Sequence, residues 1–112
     1  MISEKKLAEQ VVNYSSNISL NTASGTYSNK VLYKYGRICV FSIIATFTST
    51  SADRHMATVP ASCHPLARIN LSCDRYGETS GGECYITADG KIFVATTQTG
   101  DFKIFGTWVT AS

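Results

Sequence analysis

Residues 83–97 read ECYITADGKIFVATT, and this stretch decides the fold class. Two segments rich in Val, Ile, Tyr, Phe and Thr, Glu83–Thr87 and Ile92–Thr97, flank the dipeptide Asp89-Gly90. β-Branched and aromatic residues favour strands, and Asp-Gly supplies the two residues with positive φ that a type I′ hairpin turn requires. The stretch therefore predicts an antiparallel β-hairpin.

Short strand-forming segments of the same kind continue on both sides of this hairpin. Turn residues separate them at spacings of roughly 8 to 12 residues, which is typical of β-sandwiches and barrels. Gly36-Arg37 lie between the first two segments, while Pro60 and Pro65, which lack a backbone donor, bracket a loop. Five further strands are predicted, namely Val31–Tyr35, Ile38–Thr48, His55–Val59, Ala67–Cys73 and Phe102–Thr110.

The first 29 residues differ in composition from the rest of the chain. Ser3–Tyr14 predict one short helix, because apolar residues recur at heptad-like spacing and Ser3 is placed to cap the first turn. Residues 15–30 are rich in Ser, Asn, Thr and Gly, which predicts an extended connector that lies against a sheet edge. We therefore divide the chain into a helix and connector, residues 1–29, and an all-β antiparallel sandwich or barrel of about seven strands, residues 30–112.

Two of the predicted strands carry apolar residues on both faces. Ile38–Thr48 place Cys39, Phe41, Ile43, Ala45 and Phe47 on one face, yet Ile38, Val40 and Ile44 lie on the other. Phe102–Thr110 repeat the pattern, with Phe105 and Val109 on the second face. A domain of this size has one core, so the surplus apolar faces predict a subunit interface and a homo-oligomer.

Composition excludes several classes of protein. The chain has 112 residues, of which 44% are apolar and 16% are charged, and its net charge is +2, so it is long and apolar enough for one ordered domain. Basic residues are scattered, which argues against a nucleic-acid partner. No stretch approaches the roughly 20 apolar residues of a membrane span, and no apolar h-region that would predict a secretory signal follows the first residues.

The four cysteines, Cys39, Cys63, Cys73 and Cys84, have none of the paired spacings that announce a zinc site. We expect free, partly buried thiols, while two disulfides remain the alternative. Cys73 and Cys84 flank a predicted loop, which makes them the best candidates for a bridge. No metal and no cofactor are predicted.

A catalytic site is not predicted either. His55, His64 and Cys63 are the residues with suitable chemistry, but Cys63 and His64 are adjacent in an extended segment, where their side chains diverge. Most of the eight carboxylates fall at predicted turns, where Asp commonly bonds its own backbone, so no acid–base pair can be singled out. A small hydrolase remains only a third hypothesis.

Recognition by surface loops is the chemistry that remains. The loop Asp74–Gly82 is long and polar and begins with an acid, a base and an aromatic ring, the residue types that bind sugar hydroxyls and pyranose faces. The segment Ser49–His55 offers a second polar cluster. Two alternatives stay open: Tyr76 packs back on the sheet, and Trp108 lies in the core or an interface. The candidate ligand-binding residues are Asp53, Arg54, His55, Asp74, Arg75, Tyr76 and Trp108.

Four stretches carry a resemblance to a known family: KVLYKYGRICV (30–40), ATVPASCHP (57–65), YITADGKI (85–92) and FGTWV (105–109). The order of these four stretches and their residue types resemble the C-terminal head domains of bacteriophage tail-fibre and baseplate proteins. The resemblance covers roughly Lys30 to Val109. Ala61–His64 depart from the family, which often has a Gly and an aromatic residue after the proline.

The resemblance implies a homotrimeric β-sandwich or barrel that binds host-surface saccharide or holds a fibre together. It also implies other tail or baseplate proteins as partners, a place in the virion tail, and assembly in a reducing bacterial cytoplasm, which suits free thiols. A free-standing carbohydrate-binding module or lectin is the alternative function.

Overall fold

Nine antiparallel strands form one curled, half-barrel sheet in the computed structural model, which describes residues 10–78 and 82–112. The strands are β1 (Val11–Asn13), β2 (Ser19–Leu20), β3 (Thr26–Tyr35), β4 (Ile38–Phe47), β5 (Ser51–Thr58), β6 (Ile69–Arg75), β7 (Gly82–Ile86), β8 (Lys91–Thr96) and β9 (Gly100–Val109). Their order across the sheet is β1-β3-β4-β9-β6-β7-β8-β5-β2. The predicted all-β class is confirmed.

All seven predicted strands are present, and β1 and β2 are additional. These two have only three and two residues, too few for an alternation that could be recognised in the sequence. Ser19–Leu20 pair with β5 and form one edge of the sheet, where the connector was predicted to lie. The largest shift of a boundary is at β3, which begins at Thr26, so the division after residue 29 falls inside this strand.

The predicted helix Ser3–Tyr14 does not extend to its predicted end: Gln10 is helical, but the helix does not continue through Val11–Asn13. Residues 3–9 lie outside the described residues, but Val11–Asn13 form a strand paired with Tyr33–Tyr35 of β3. A single short helix is marginal in water, whereas pairing with the open edge of β3 satisfies the same backbone groups by hydrogen bonds to the sheet.

The Asp-Gly hairpin forms as predicted, between β7 and β8, but its turn is not type I′. Only Gly90 has positive φ, +81°, whereas type I′ requires it at Asp89 as well. The turn closes by hydrogen bonds from Gly90 N–H to the Thr87 carbonyl and from Thr87 N–H to the Lys91 carbonyl, both 2.9 Å. The Asp89 carboxylate accepts a hydrogen bond from the Thr87 hydroxyl, and this bond lowers the pKa of Asp89.

Strand β6 connects the two halves of the sheet. Ile69–Leu71 pair with β7, and Ser72–Arg75 pair with β9. The concave face of the curled sheet encloses the core, whose largest fully buried side chains include Phe41, Phe47 and Phe102. Burial alternates along β6, because Leu71 and Cys73 are buried while Asn70 and Ser72 are exposed.

The convex side of β1, β3, β4 and β9 carries a contiguous set of apolar side chains, here called the apolar outer face. Its residues are Val11, Tyr33, Tyr35, Ile38, Val40, Phe105 and Val109, each between 38 and 46% exposed in the single chain. The register places Tyr35, Ile38 and Val109 side by side across three strands. The second apolar face predicted for β4 and β9 is therefore present. None of the helical segments in the described part of the chain has the length and apolarity needed to cross a membrane.

Candidate functional site

A cleft of about 560 Å³ opens at one end of the sheet, between the segment that joins β2 to β3 and the loop that joins β4 to β5. Eight of its twelve lining residues carry a hydroxyl group, namely Thr22, Ser24, Thr26, Thr46, Thr48, Ser49, Thr50 and Ser51. The other four are Ala23, Gly25, Asp53 and Arg54. A surface so rich in groups that both donate and accept hydrogen bonds suits a polyhydroxylated ligand.

Asn21 fixes one wall of the cleft to β5. Its backbone N–H donates to the Met56 carbonyl (2.8 Å), and its side-chain amide donates to the His55 carbonyl (3.0 Å). The Asn21 carbonyl in turn accepts hydrogen bonds from the hydroxyls of Tyr27 (2.8 Å) and Ser24 (2.9 Å). Burial raises the pKa of Tyr27, so the ring keeps its proton as a donor. Asn21 thus ties this wall of the cleft to β5, and the hydroxyl groups of Ser24 and Tyr27 fix Asn21 in turn.

Arg54 lies at the base of this region and is only 7% exposed. Its guanidinium stacks over the Phe47 ring, 4.2 Å from the centroid, and Nη2 donates a 2.6 Å hydrogen bond to the Ser49 carbonyl. Nη1 is buried and has no hydrogen-bond partner in the described part of the chain. A charged donor in this state is costly for a folded protein, because burial removes its hydration without replacing it.

Irregular pairing of β5 explains why an arginine lies inside. The register with β8 shifts between Ser51 and Arg54 and again between His55 and Ala57. These bulges interrupt strict alternation, so Arg54, Met56 and Ala57 are all buried while Asp53 is exposed. Because successive side chains of a strand point to opposite faces, Arg54 lies on one face of the sheet and its neighbours Asp53 and His55 lie on the other.

His55 belongs to a row of stacked side chains on the convex side of the other half of the sheet, here called the outer aromatic row: His55, Phe93, Tyr85 and Arg68. Adjacent ring centroids are 5.3 Å apart, and the Arg68 guanidinium lies 3.7 Å from the Tyr85 centroid. The Tyr85 hydroxyl donates to Asp53 Oδ1 (3.1 Å), and desolvation together with this bond raises the pKa of Tyr85. The neighbours already cover the face of Tyr85, so the row is poorly suited to stack on a sugar.

The second predicted candidate, Asp74–Tyr76, ends β6 and enters the loop that follows. Arg75 donates to the Thr99 carbonyl (2.8 Å) and pairs with Glu78 (2.9 Å), so its guanidinium is engaged. Tyr76 is 48% exposed; Lys103 Nζ lies 5.4 Å from the centroid of its ring, and the rest of the ring is open to a ligand. Residues 79–81 of this predicted loop lie outside the described residues.

Both candidate loops lie at the same end of the sheet. Asp101 joins them, because its carboxylate accepts a hydrogen bond from the Thr46 hydroxyl (2.7 Å) and its carbonyl accepts one from the Tyr76 N–H (3.0 Å). Thr46 lines the cleft. Tyr76 and the cleft are therefore neighbours across β9.

Trp108 is not part of a ligand site. It is 3% exposed, packs against Phe41, and donates its indole N–H to the Cys63 carbonyl (2.8 Å). An enclosed ring cannot stack on a saccharide. Of the two alternatives left open for this residue, the structure shows the core.

The residues with catalytic chemistry are held apart. The Cys63 thiol lies near that of Cys39, whereas His64 Nε2 lies 3.2 Å from the Val59 carbonyl oxygen. His55 Nε2 is 3.0 Å from the Thr58 hydroxyl. In residues 10–78 and 82–112, no group of three or more His, Cys, Asp and Glu side chains is arranged to hold a metal ion.

The hydroxyl-bearing residues that form most of the cleft were not among the residues predicted from the sequence. The run Thr48-Ser-Thr-Ser51 was the available signal, but its composition is also that of an ordinary loop. The opposite wall, residues 22–26, is about 25 residues away in the sequence and is recognisable only once β2 and β5 pair. No family model and no curated protein sequence matches this chain.

Proposed function

We propose that this chain is a non-enzymatic attachment domain that binds a saccharide in the cleft and forms part of a homotrimeric phage tail fibre or baseplate. The cleft is the observation that carries the binding function. Eight hydroxyl groups and one fixed arginine line it, and sugars are recognised by such convergent polar groups on a preformed surface. Tyr76, exposed beside the cleft, supplies an aromatic ring for the apolar face of a further sugar unit.

The apolar outer face supports assembly of several subunits. Seven apolar side chains, including three that are β-branched and cross-strand neighbours of tyrosines, are exposed there in the single chain. Such a contiguous patch is typical of a protein–protein interface. A second copy of the chain fits this surface best, because self-association brings apolar patches of the same kind together. The trimeric state itself follows from the family resemblance.

The two surfaces lie at opposite ends of β4. Ile38 belongs to the apolar outer face and Thr46 to the cleft, and eight residues of extended strand separate them by about 27 Å. Subunits that associate near Ile38 would therefore leave their clefts open to solvent. This separation suits a head domain that is joined to a fibre at one end and contacts the host at the other.

A free-standing lectin is the second candidate. The cleft lies entirely within one chain, so ligand binding does not require assembly. Light scattering coupled to size-exclusion chromatography separates the two candidates at micromolar concentration. A trimer supports the tail-fibre proposal, whereas a monomer that still binds sugar supports the lectin.

Binding is tested with a glycan array and with host-type bacterial cells, using the full chain. We expect the wild-type protein to bind and Thr48→Val, which removes one cleft hydroxyl, to bind several-fold more weakly. Thr99→Val is the matched control, because Thr99 lies at the same end of the sheet outside the cleft-lining residues. Absence of binding to any glycan or cell would contradict the attachment function and leave a structural fibre domain.

A further inference from the structure

Arg54 forms no ion pair with the described part of the chain. The ion pairs among those residues join Arg75 to Glu78 and Lys91 to Asp89, and neither involves Arg54. Its side chain is more than nine-tenths buried, and Nη1 makes no hydrogen bond. Buried guanidinium groups are normally paired with a carboxylate or another anion, because an isolated buried charge loses its hydration without compensation.

The position of Arg54 indicates where such an anion would come from. Arg54 is the only cationic residue that lines the cleft, and the hydroxyl groups of Ser49, Thr50 and Ser51 lie on the loop that covers it. A ligand that enters the cleft therefore meets these hydroxyl groups, and the guanidinium of Arg54 lies beneath them with Nη1 buried.

We infer that the saccharide bound in the cleft carries a carboxylate group, as uronic and sialic acids do, and that Arg54 binds this group. The inference rests on the proposed function and specifies its ligand. Ser49 holds Nη2, so Nη1 is the donor that remains for the ligand carboxylate. The surrounding Ser and Thr hydroxyls bind the sugar hydroxyls.

The charge of the cleft favours a singly charged group. Asp53 lines the same cleft, so the described lining residues carry one negative charge beside the positive charge of Arg54. Asp53 repels a monoanionic carboxylate less than a phosphate with nearly two negative charges, so the carboxylate is the better partner for Arg54. Arg54 also stacks on Phe47, which is a structural role, so the test needs a measurement that this role does not affect.

The test is a calorimetric or NMR titration of the full protein with glucuronate, galacturonate and N-acetylneuraminate, each compared with its methyl ester. The ester keeps the sugar and removes only the charge. We expect at least one acid to bind ten-fold or more tightly than its ester, and Arg54→Met to abolish this preference. Arg68→Met is the matched control, since Arg68 is exposed on the opposite side of the sheet, and the preference should persist.

Asp53→Asn provides a second variant that leaves the core intact, because Asp53 is exposed. Removing its negative charge should tighten the binding of the acid several-fold and leave the ester unchanged. This variant keeps the inference testable if Arg54→Met does not fold.

The remaining outcomes distinguish a failure of the acidic-saccharide inference from a failure of the proposed binding function. Equal affinity for acid and ester, or a preference that survives in Arg54→Met, would overturn the inference and leave saccharide binding intact. Inorganic phosphate or acetate binding as tightly as the acidic sugar would show a simple anion site, which also overturns it. Binding of no sugar, acidic or neutral, on titration or on the glycan array would refute the proposed function itself.

Discussion

The indole N–H of Trp108 donates a 2.8 Å hydrogen bond to the backbone carbonyl of Cys63, a residue 45 positions earlier in the chain. Cys39 lies directly opposite Trp108 in the register of β4 and β9, and its thiol lies near that of Cys63, which influences the ionisation of Cys39. These three residues connect two central strands to the 3-10 turn Ala61–Cys63 that follows β5. They close the core behind the apolar outer face.

Trp108→Phe should destabilise the domain by about 1 to 3 kcal/mol, because it leaves the buried Cys63 carbonyl without its donor and also reduces the volume of the core. Urea denaturation followed by circular dichroism measures the change in the free energy of unfolding. Tyr76→Phe is the control, since Tyr76 is exposed, and its stability should match the wild type. Equal stability of Trp108→Phe would show that the hydrogen bond contributes nothing.

The cysteine thiols should react slowly in the native protein. Burial raises the pKa of Cys39 to about 12 and that of Cys73 to about 11, and it raises the pKa of Cys84 as well. The thiolate is the reactive form, so an aromatic disulfide reagent at pH 8 should label the folded protein far more slowly than the protein in urea. Rapid, stoichiometric labelling of the folded protein would contradict the burial of these groups.

The same pKa shifts predict a loss of stability at alkaline pH. The thiols of Cys39 and Cys73 ionise near 9.0 in the unfolded chain and only near 12 and 11 in the folded one. Below pH 9 both states hold these protons and the stability is constant. Above it the unfolded state releases them first, so the free energy of unfolding should fall between pH 9 and pH 12. Cys73→Ala should reduce the slope of this decline in urea titrations, and an unchanged slope would contradict the assignment.

If the apolar outer face forms the proposed subunit interface, Val40→Lys should convert the proposed oligomer into a monomer. Val40 lies within the apolar outer face and is 46% exposed, so a lysine there is tolerated in the single chain but places a charge in the proposed interface. Analytical ultracentrifugation measures the mass, and Gln98→Lys is the control for added charge, because Gln98 is exposed in a loop away from this face. If Val40→Lys assembles as the wild type does, another surface forms the interface.

Gly90→Ala should destabilise the hairpin more than Gly36→Ala. Both glycines have positive φ, +81° and +58°, which costs an alanine about 1 kcal/mol. At Gly36 an added Cβ has no neighbour within 4 Å, whereas at Gly90 it would lie 2.6 Å from His64 Nε2 and overlap the ring. Thermal denaturation of the two variants compares them, and equal losses would show that His64 moves aside without cost.

Much of this fold was predictable from the sequence because the strands of the core obey simple alternation. In β4, every second residue from Cys39 to Phe47 is buried, and Asp89-Gly90 marks a hairpin although the turn type differs. The edge strands were not predictable. Val11–Asn13 and Ser19–Leu20 are strands only because β3 and β5 offer them open edges, and that information lies elsewhere in the chain.

The candidate site was predictable only in part, for a reason that lies in β5. Asp53, Arg54 and His55 were identified together as a polar cluster, but alternation along the strand separates Arg54 from the other two, and the register shift between Ser51 and Arg54 decides that Arg54 faces the interior. A bulge has no reliable signal in a single sequence, so neither the buried arginine nor the hydroxyl-lined cleft around it could be anticipated. Trp108 was predicted both as a ligand residue and as a core residue, and composition alone could not decide.

Strand β6 makes the two halves of the molecule thermodynamically inseparable. Its first three residues pair with β7 in one half of the sheet, and its last four pair with β9 in the other half. If either half unfolds, β6 loses one of its two pairing partners, and the half that remains folded also needs β6. A fragment ending at Ser72 would lose β9, the partner of β4 and β6, and could not retain the core. The domain is therefore one cooperative unit, and its folding must wait until segments some sixty residues apart, β4 and β9, have found each other.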